Sequence, residues 1–149
     1  MNVKDLMTTG ISCVKEDASA IQIAKQMKQE NVGIIPVCND KGEILGVITD
    51  RDLVLRWLAT EKGLNSDRKE VLKAGDIMSK NIVCTSPDMN THHAALLMAK
   101  NQVRRLPVTQ NGKLVGMLAL ADLARKPVFV DEAGDALSAI SADAPPLYL

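Results

Sequence analysis

The chain is organised around the stretch Gly46-Val-Ile-Thr49-Asp50-Arg51-Asp52, which joins an apolar run to a helix-like segment. The run before it, 44–48, is rich in β-branched residues and is typical of a buried strand. The residues after it, 53–59, favour a helix with an acidic first turn, which Asp52 could simply stabilise. Such a junction also brings backbone N–H groups, the Thr49 hydroxyl and the Asp52 carboxylate together. Amides and hydroxyls bind phosphate oxygens and a carboxylate accepts ribose hydroxyls, so the stretch suits a phosphorylated sugar.

The sequence also repeats itself. Matching positions keep a constant spacing of 71 residues, as from Met7 to Met78. After a deletion of one residue, Gly46 and Asp52 correspond to Gly116 and Asp122. The longer matches are Asp5-Leu-Met7 with Asp76-Ile-Met78, and Val32-Gly-Ile-Ile-Pro36-Val37 with Val103-Arg-Arg-Leu-Pro107-Val108. So many matches at one spacing indicate a tandem duplication.

Each copy predicts the order β-α-β-β-α. In the first copy the strands are predicted over 11–14, 34–38 and 44–49, and in the second over 82–84, 105–109 and 114–119. The first helix of each copy has a predicted N-cap, which is Ser19 in the first copy and Asn90 or Thr91 in the second. A copy of this size is marginal alone, so we expect an α/β (α+β) fold of two pseudo-symmetric units packed sheet to sheet. The predicted divisions are unit 1 at 1–61, a polar linker at 62–73, unit 2 at 74–126, and an extension at 127–149 with a short helix and a loose tail.

Composition narrows the classes of function. The 18 Lys and Arg balance the 18 Asp and Glu, so no net field attracts nucleic acid or an anionic membrane. Aromatic residues make up 2% of the chain and offer no stacking platform for single strands. No apolar run approaches the roughly 20 residues of a membrane span, and the N-terminus lacks a signal-peptide core. We therefore expect a cytoplasmic protein that binds neither nucleic acid nor membrane.

With these motifs, over roughly residues 2 to 125, the chain resembles a tandem pair of CBS domains (a Bateman module) of the small stand-alone bacterial type. The resemblance implies a regulatory module with clefts between the two units and a homodimer with an unknown protein partner. It implies no required cofactor. The implied ligand contains adenosine: AMP, ADP, ATP or S-adenosylmethionine.

The resemblance also implies two sets of ligand-binding residues. In the principal cleft Asp52 would hold the ribose, Thr49 the phosphate, and Arg51 and Arg104 would neutralise phosphate charge. The walls of that cleft would be Gly33, Ile34, Met78, Ile82, Val83 and Val103. The second cleft would use Ile11, Ser12, Val32, Arg105, Ala119 and Asp122, shared with Gly33 and Arg104. Because Ala119 stands where the family has Ser or Thr, we expect weaker binding there, by about 1–2 kcal/mol for one lost hydrogen bond.

Cysteine and histidine residues allow other interpretations. The three cysteines are too few and too scattered for a disulfide framework or a zinc site. Cys13 and Cys38 lie on two strands of one unit and could be neighbours, either as a redox pair or as reduced core thiols. His92 and His93 diverge by about 100° on a helix, so we expect exposed residues and no metal site.

Two functions follow as hypotheses. The first is a non-catalytic sensor of an adenosine-containing ligand, for example in energy sensing. The second is a ligand-free structural or redox-responsive interaction module that uses Cys13 and Cys38. An enzyme is not expected, because the sequence pairs no nucleophile with a general base.

Overall fold

A computed structural model describes residues 1–60 and 72–142. The chain divides into two compact units, one formed by Ser12–Ile82 and the other by Met1–Ile11 with the chain from Val83 onward. Neither unit is a single sequence repeat. Each combines the body of one repeat with the leading segment of the other, where the leading segments are 1–11 and 73–82. Most of the predicted linker and the end of the predicted tail, 61–71 and 143–149, lie outside the described residues.

The Ser12–Ile82 unit is built on a β-hairpin and one long helix. Its elements are α1 (Ala20–Glu30), β1 (Ile34–Cys38), β2 (Ile44–Thr49), α2 (Asp50–Asp52), a π-helical turn (Leu53–Leu58) and α3 (Ala74–Ile77). The Ser19 side chain caps α1 by accepting a hydrogen bond from the Gln22 backbone N–H. Strands β1 and β2 pair antiparallel, and Gly42 turns the hairpin at a φ of +79°.

The second unit repeats this plan and adds a C-terminal helix. Its elements are a 3₁₀ turn (Val3–Asp5), α4 (Thr91–Asn101), β3 (Arg105–Gln110), β4 (Lys113–Ala119), α5 (Leu120–Ala124), a second 3₁₀ turn (Pro127–Phe129) and α6 (Val130–Ser141). Asn90 caps α4 by accepting from the His92 backbone N–H. Strands β3 and β4 pair antiparallel in the same register as the first hairpin. The mixed helix and strand content agrees with the predicted α/β (α+β) class.

Aliphatic side chains fill both cores. In the Ser12–Ile82 unit the helix α1 packs Ile23 and Met27 onto Ile35, Val37 and Ile48 of the hairpin. In the other unit α4 packs Ala95 and Met98 with Leu106, Val108 and Leu118, and α6 adds Ala133 and Ala136. The methionines at helical spacing are therefore core residues in both units, as their spacing predicts. Among the described residues no helix is long and apolar enough to cross a membrane.

Two sequence-based predictions of local structure were wrong in extent. Neither 11–14 nor 82–84 forms the expected strand: a single parallel bridge joins Val14 to Val37, and another joins Thr85, one residue beyond the second range, to Val108. The helix expected after Asp52 is π-helical, with the Ala59 N–H donating to the Val54 carbonyl five residues earlier. Apolar side chains occur at nearly every position of 53–58, so the pattern contains no period that separates a π turn from an α-helix.

Candidate functional site

The leading segment of the second repeat lies directly against β2 of the first. The Val47 N–H donates to the Ser79 carbonyl at 3.1 Å, and the Ser79 N–H donates to the Val47 carbonyl at 2.9 Å. A Cβ on Gly46 would lie 2.7 Å from the Ser79 oxygen and 2.8 Å from the Met78 Sδ, so only glycine fits there. Met78 is thereby brought to the strand that ends at Thr49.

The other unit has the reciprocal arrangement. A Cβ on Gly116 would lie 2.8 Å from the Thr8 carbonyl oxygen and 2.9 Å from the Met7 Sδ. The Met117 N–H and the Thr8 N–H each donate to the other's carbonyl at 2.9 Å. In both units the glycine of one repeat therefore packs against the methionine of the other repeat: Gly46 against Met78, and Gly116 against Met7.

Thr49 and Asp52 form two reciprocal hydrogen bonds at the strand–helix junction. The Thr49 N–H donates to Asp52 Oδ2 at 2.9 Å, and the Asp52 N–H donates to Thr49 Oγ1 at 3.2 Å. This reciprocal pair is a capping box for α2, and it fixes the rotamers of both side chains. Asp52 therefore stabilises the first helical turn, which is the simpler of the two roles considered for it. The same contacts orient its second carboxylate oxygen.

That second oxygen faces an arginine outside the predicted set. Asp52 Oδ1 lies 3.6 Å from Arg56 Nε, and the Asp52 side chain is 12% exposed. The Arg56 guanidinium also donates to the Ile77 carbonyl at 3.1 Å and to the Met78 carbonyl at 3.4 Å. Arg56 therefore connects the carboxylate to the leading segment. Its spacing of four residues from Asp52 on a helix is the signal that could have identified it.

Gly33 and Arg51 lie on the two sides of Asp50. The Asp50 N–H donates to the Gly33 carbonyl at 3.0 Å, and the Arg51 N–H donates to Asp50 Oδ1 at 2.8 Å. A Cβ on Gly33 would lie 3.3 Å from Asp50 Oδ2, which leaves the backbone at Gly33 close to this carboxylate. Ile34 pairs with Thr49 in the register of the hairpin. The four predicted residues Gly33, Ile34, Thr49 and Arg51 are thus neighbours.

The second strand–helix junction, at Ala119 and Asp122, has a carboxylate but no side-chain hydroxyl. The Ala119 N–H donates to Asp122 Oδ2 at 2.8 Å, and the Arg125 guanidinium donates to Asp122 Oδ1 at 3.0 Å. Arg125 thus takes the position that Arg56 has in the first unit, one residue closer to the carboxylate in sequence. Ala119 provides no side-chain cap. The Leu120 N–H donates to the Arg104 carbonyl at 2.8 Å, so the segment before β3 is tied to this junction.

The predicted residues divide between the two compact units. Those of the principal set that belong to the Ser12–Ile82 unit are Gly33, Ile34, Thr49, Arg51, Asp52, Met78 and Ile82, while Val83, Val103 and Arg104 belong to the other unit. Of the second set, Ser12 and Val32 belong to the Ser12–Ile82 unit, while Ile11, Arg105, Ala119 and Asp122 belong to the other. Arg104 is exposed and lines a cavity of about 350 Å³ with Gln102 and the end of α6.

The cysteines and histidines take no part in the hydrogen bonds that build the two junctions. Cys38 is buried and Cys13 is exposed, and both are free thiols. Burial, followed by hydrogen bonding with the Cys13 thiol, raises the pKa of Cys38 to about 12. His92 and His93 are both exposed, and His92 Nδ1 lies 3.8 Å from a carboxylate oxygen of Glu132. Within 1–60 and 72–142 no three His, Cys, Asp or Glu side chains are grouped to hold a metal ion.

Comparison with known proteins identifies the family. The family model for the CBS domain matches residues 3–58 and 74–129, one match in each repeat. The chain belongs to the CBS domain family. The CBS domain-containing protein YhcV of Bacillus subtilis is 40% identical to this CBS pair over 140 residues, which cover 94% of the chain and 95% of the relative.

Two solved structures are similar to this CBS pair over most of its length. The crystal structure of CBSX2 in complex with AMP is 27% identical, with a TM-score of 0.72, and the match covers 87% of this chain and 98% of that one. The crystal structure of Hypoxic Response Protein I with two coordinated zinc ions is 29% identical, with a TM-score of 0.69, and covers 84% and 98%. The predicted α/β (α+β) class and the pair of CBS domains are therefore confirmed.

Proposed function

We propose that this chain is a non-catalytic regulatory module that binds an adenosine-containing ligand at the Thr49–Asp52 junction, with AMP as the first expectation. The observation that carries the proposal is the Asp52 carboxylate, which is oriented by the Thr49 N–H on one oxygen and by Arg56 on the other. The AMP complex of CBSX2, at 27% identity, supports the choice of ligand.

The junction offers donors and acceptors that suit a ribose phosphate. Each carboxylate oxygen can accept two hydrogen bonds, so Asp52 retains acceptor capacity for ribose hydroxyls beside its contacts to Thr49 and Arg56. Thr49 Oγ1 accepts from the Asp52 N–H, which leaves the hydroxyl hydrogen to donate to a phosphate oxygen. The exposed Arg51 is close by in the chain and adds positive charge for the phosphate.

Regulation would work by a shift between two conformations of the module. A ligand shifts such an equilibrium only by the difference in its affinity for the two states. AMP, ADP, ATP and S-adenosylmethionine share the adenosine that the site would hold and differ in the group attached to its ribose. Competition between AMP and ATP for Thr49 and Arg51 would make the module an energy sensor in the cytoplasm, and Asp122 would provide a weaker site.

Association into a homodimer is part of the proposal. The π-helical turn carries Val54 at 50% exposed, Leu55 at 42% and Leu58 at 45%. These three side chains are close together in the turn, and grouped exposed apolar side chains are typical of interfaces. A Leu55→Glu variant should therefore halve the mass measured by size exclusion with light scattering. A wild-type mass of one chain at micromolar concentration would contradict the dimer.

Thermal unfolding with a panel of ligands tests the proposed function. At a concentration of 100 times Kd a ligand adds about 2.7 kcal/mol of stability, a shift in Tm of roughly 5 to 10 °C for a chain of this size. We expect AMP to give such a shift, with ADP, ATP and S-adenosylmethionine ranked by the same assay. Thr49→Ala should reduce the shift by making the first junction equivalent to the second, whereas Thr49→Ser retains the hydroxyl and should preserve most of it.

Two results would contradict the proposal. If no adenosine compound shifts Tm at millimolar concentration, the chain is not an adenosine sensor. If AMP shifts Tm equally in Thr49→Ala and in the wild type, binding does not use this junction.

A further inference from the structure

A pair of cysteine thiols in the Ser12–Ile82 unit has no part in the proposed ligand site. Val14 and Val37 form a parallel bridge, in which the Val14 N–H donates to the Pro36 carbonyl at 3.0 Å and the Cys38 N–H donates to the Val14 carbonyl at 2.9 Å. Side chains alternate along paired strands, so Cys13 and Cys38, each next to a bridging valine, share the opposite face. Cys13 lies one residue before the bridge and Cys38 one residue after it, so the two cysteines are diagonal neighbours on that face, although they are 25 residues apart in the chain.

The two thiols differ in their exposure to solvent and in the charges around them. Cys13 is exposed, while Cys38 is buried at 1% exposed. Beside burial, the Cys13 thiol contributes to raising the pKa of Cys38, by hydrogen bonding and by charge. Lys15, whose ammonium donates to the Asn39 carbonyl at 2.8 Å, acts on Cys38 in the opposite direction and favours its thiolate.

The second repeat provides an internal comparison. The same bridge is present, with the Thr85 N–H donating to the Pro107 carbonyl at 3.0 Å and the Thr109 N–H donating to the Thr85 carbonyl at 2.9 Å. Cys84 corresponds to Cys13, but Thr109 stands where the first repeat has Cys38. Burial alone raises the pKa of Cys84. The backbone arrangement is thus shared by both repeats, and only the first places two thiols on it.

We propose that Cys13 and Cys38 form a reversible disulfide by exchange with a small-molecule disulfide. The exposed Cys13 thiolate attacks one sulfur of the small disulfide, giving a mixed disulfide on Cys13 and releasing one thiolate. The Cys38 sulfur then attacks the Cys13 sulfur, forms the protein disulfide and displaces the second small thiol. Two protein thiols are oxidised, one small disulfide is reduced to two thiols, and the two protons pass to these products. The proposal is independent of the ligand site.

Alkylation and intact mass measure this reaction on the full chain. Protein is incubated with oxidised glutathione at pH 8, denatured and treated with N-ethylmaleimide. The reduced wild-type chain takes three maleimide groups, one for each cysteine. After oxidation we expect one group, on Cys84, with a loss of two protons from the chain and return of all three after treatment with dithiothreitol. Peptide mapping should find Cys13 joined to Cys38.

Three variants make the result specific. Cys84→Ser should still lose two alkylation sites on oxidation, because Cys84 takes no part. Cys13→Ser changes an exposed residue and should retain both remaining sites, without an internal disulfide. Cys38→Ala gives the matching test at the buried position, and glutathione should then stay attached to Cys13. A stable glutathione adduct on Cys13 in the wild type, a disulfide between two chains, or three maleimide groups after oxidation would each overturn the proposal.

Discussion

A methyl group at Gly46 tests how closely the leading segment of the second repeat packs on β2. The added Cβ would lie 2.7 Å from the Ser79 carbonyl oxygen and 2.8 Å from the Met78 Sδ. The methionine side chain can move aside, but the Ser79 oxygen is backbone and accepts the Val47 N–H at 3.1 Å. Overpacking costs about 1–3 kcal/mol and a lost hydrogen bond about 1 kcal/mol. We therefore expect Gly46→Ala to lower the free energy of unfolding by about 2–4 kcal/mol.

Urea unfolding followed by Trp57 fluorescence measures this loss, because Trp57 packs against the core of the same unit. Gly134→Ala is the matched control, since a Cβ there has no atom within 4 Å. In the interior of α6 that change should raise stability by up to about 1 kcal/mol. A loss below about 0.5 kcal/mol for Gly46→Ala, or an equal loss for Gly134→Ala, would refute the close packing of the leading segment, since surface changes commonly have that size.

Two further predictions concern the second junction and the buried thiol. Ala119→Thr should cap α5 and raise the free energy of unfolding by about 0.5–2 kcal/mol in urea titrations, and an unchanged midpoint would contradict the capping geometry. Burial raises the pKa of Cys38 to about 12 from its ordinary value of 9.0. Above pH 9 the unfolded thiol loses its proton while the folded one keeps it, so stability falls as the pH rises from about 9 toward 12, by roughly 1 kcal/mol at pH 10. Under reducing conditions Cys38→Ala should lack this part of the pH dependence, and parallel pH profiles would contradict it.

The hairpins and the helix caps could be predicted because their signals are local. Gly42 and Gly112 both adopt a φ of +79°, which the turn pattern required of them. Ser19 caps α1 as its position predicts. Such features depend on neighbours within a few residues, and the sequence contains them completely.

The packing of each leading segment on the opposite repeat could not be derived from such local signals. Both repeats contain the methionine and the glycine, so the sequence cannot say which methionine packs on Gly46. That choice depends on the path of the chain between the repeats. The structure shows Met78 on Gly46, where an added Cβ would lie 2.8 Å from its Sδ. The short parallel pairings at Val14 and Thr85 were overestimated as strands because the β-branched pattern there extends beyond the single bridge.

The candidate site drawn from the sequence includes Thr49 and Asp52 and leaves out Arg56. Thr49 and Asp52 were identified from residue type and spacing, and the capping box places them in contact. Arg56 was missed because an arginine in an apolar helical segment is usually a solvated residue. Only the structure places it between Asp52 and the carbonyls of Ile77 and Met78.

Calorimetric titration of AMP into three proteins tests the central claim most directly. Asp52→Asn keeps an oxygen that can accept the Thr49 N–H, so the cap survives while the charge that would hold the ribose is lost. Asp122→Asn makes the same change at the second junction, where the carboxylate has the same kind of backbone and arginine contacts. We expect Asp52→Asn to weaken AMP binding at least about tenfold, as for a lost charge-assisted hydrogen bond, and Asp122→Asn to weaken it by less. Equal Kd values for the wild type and Asp52→Asn would contradict the account.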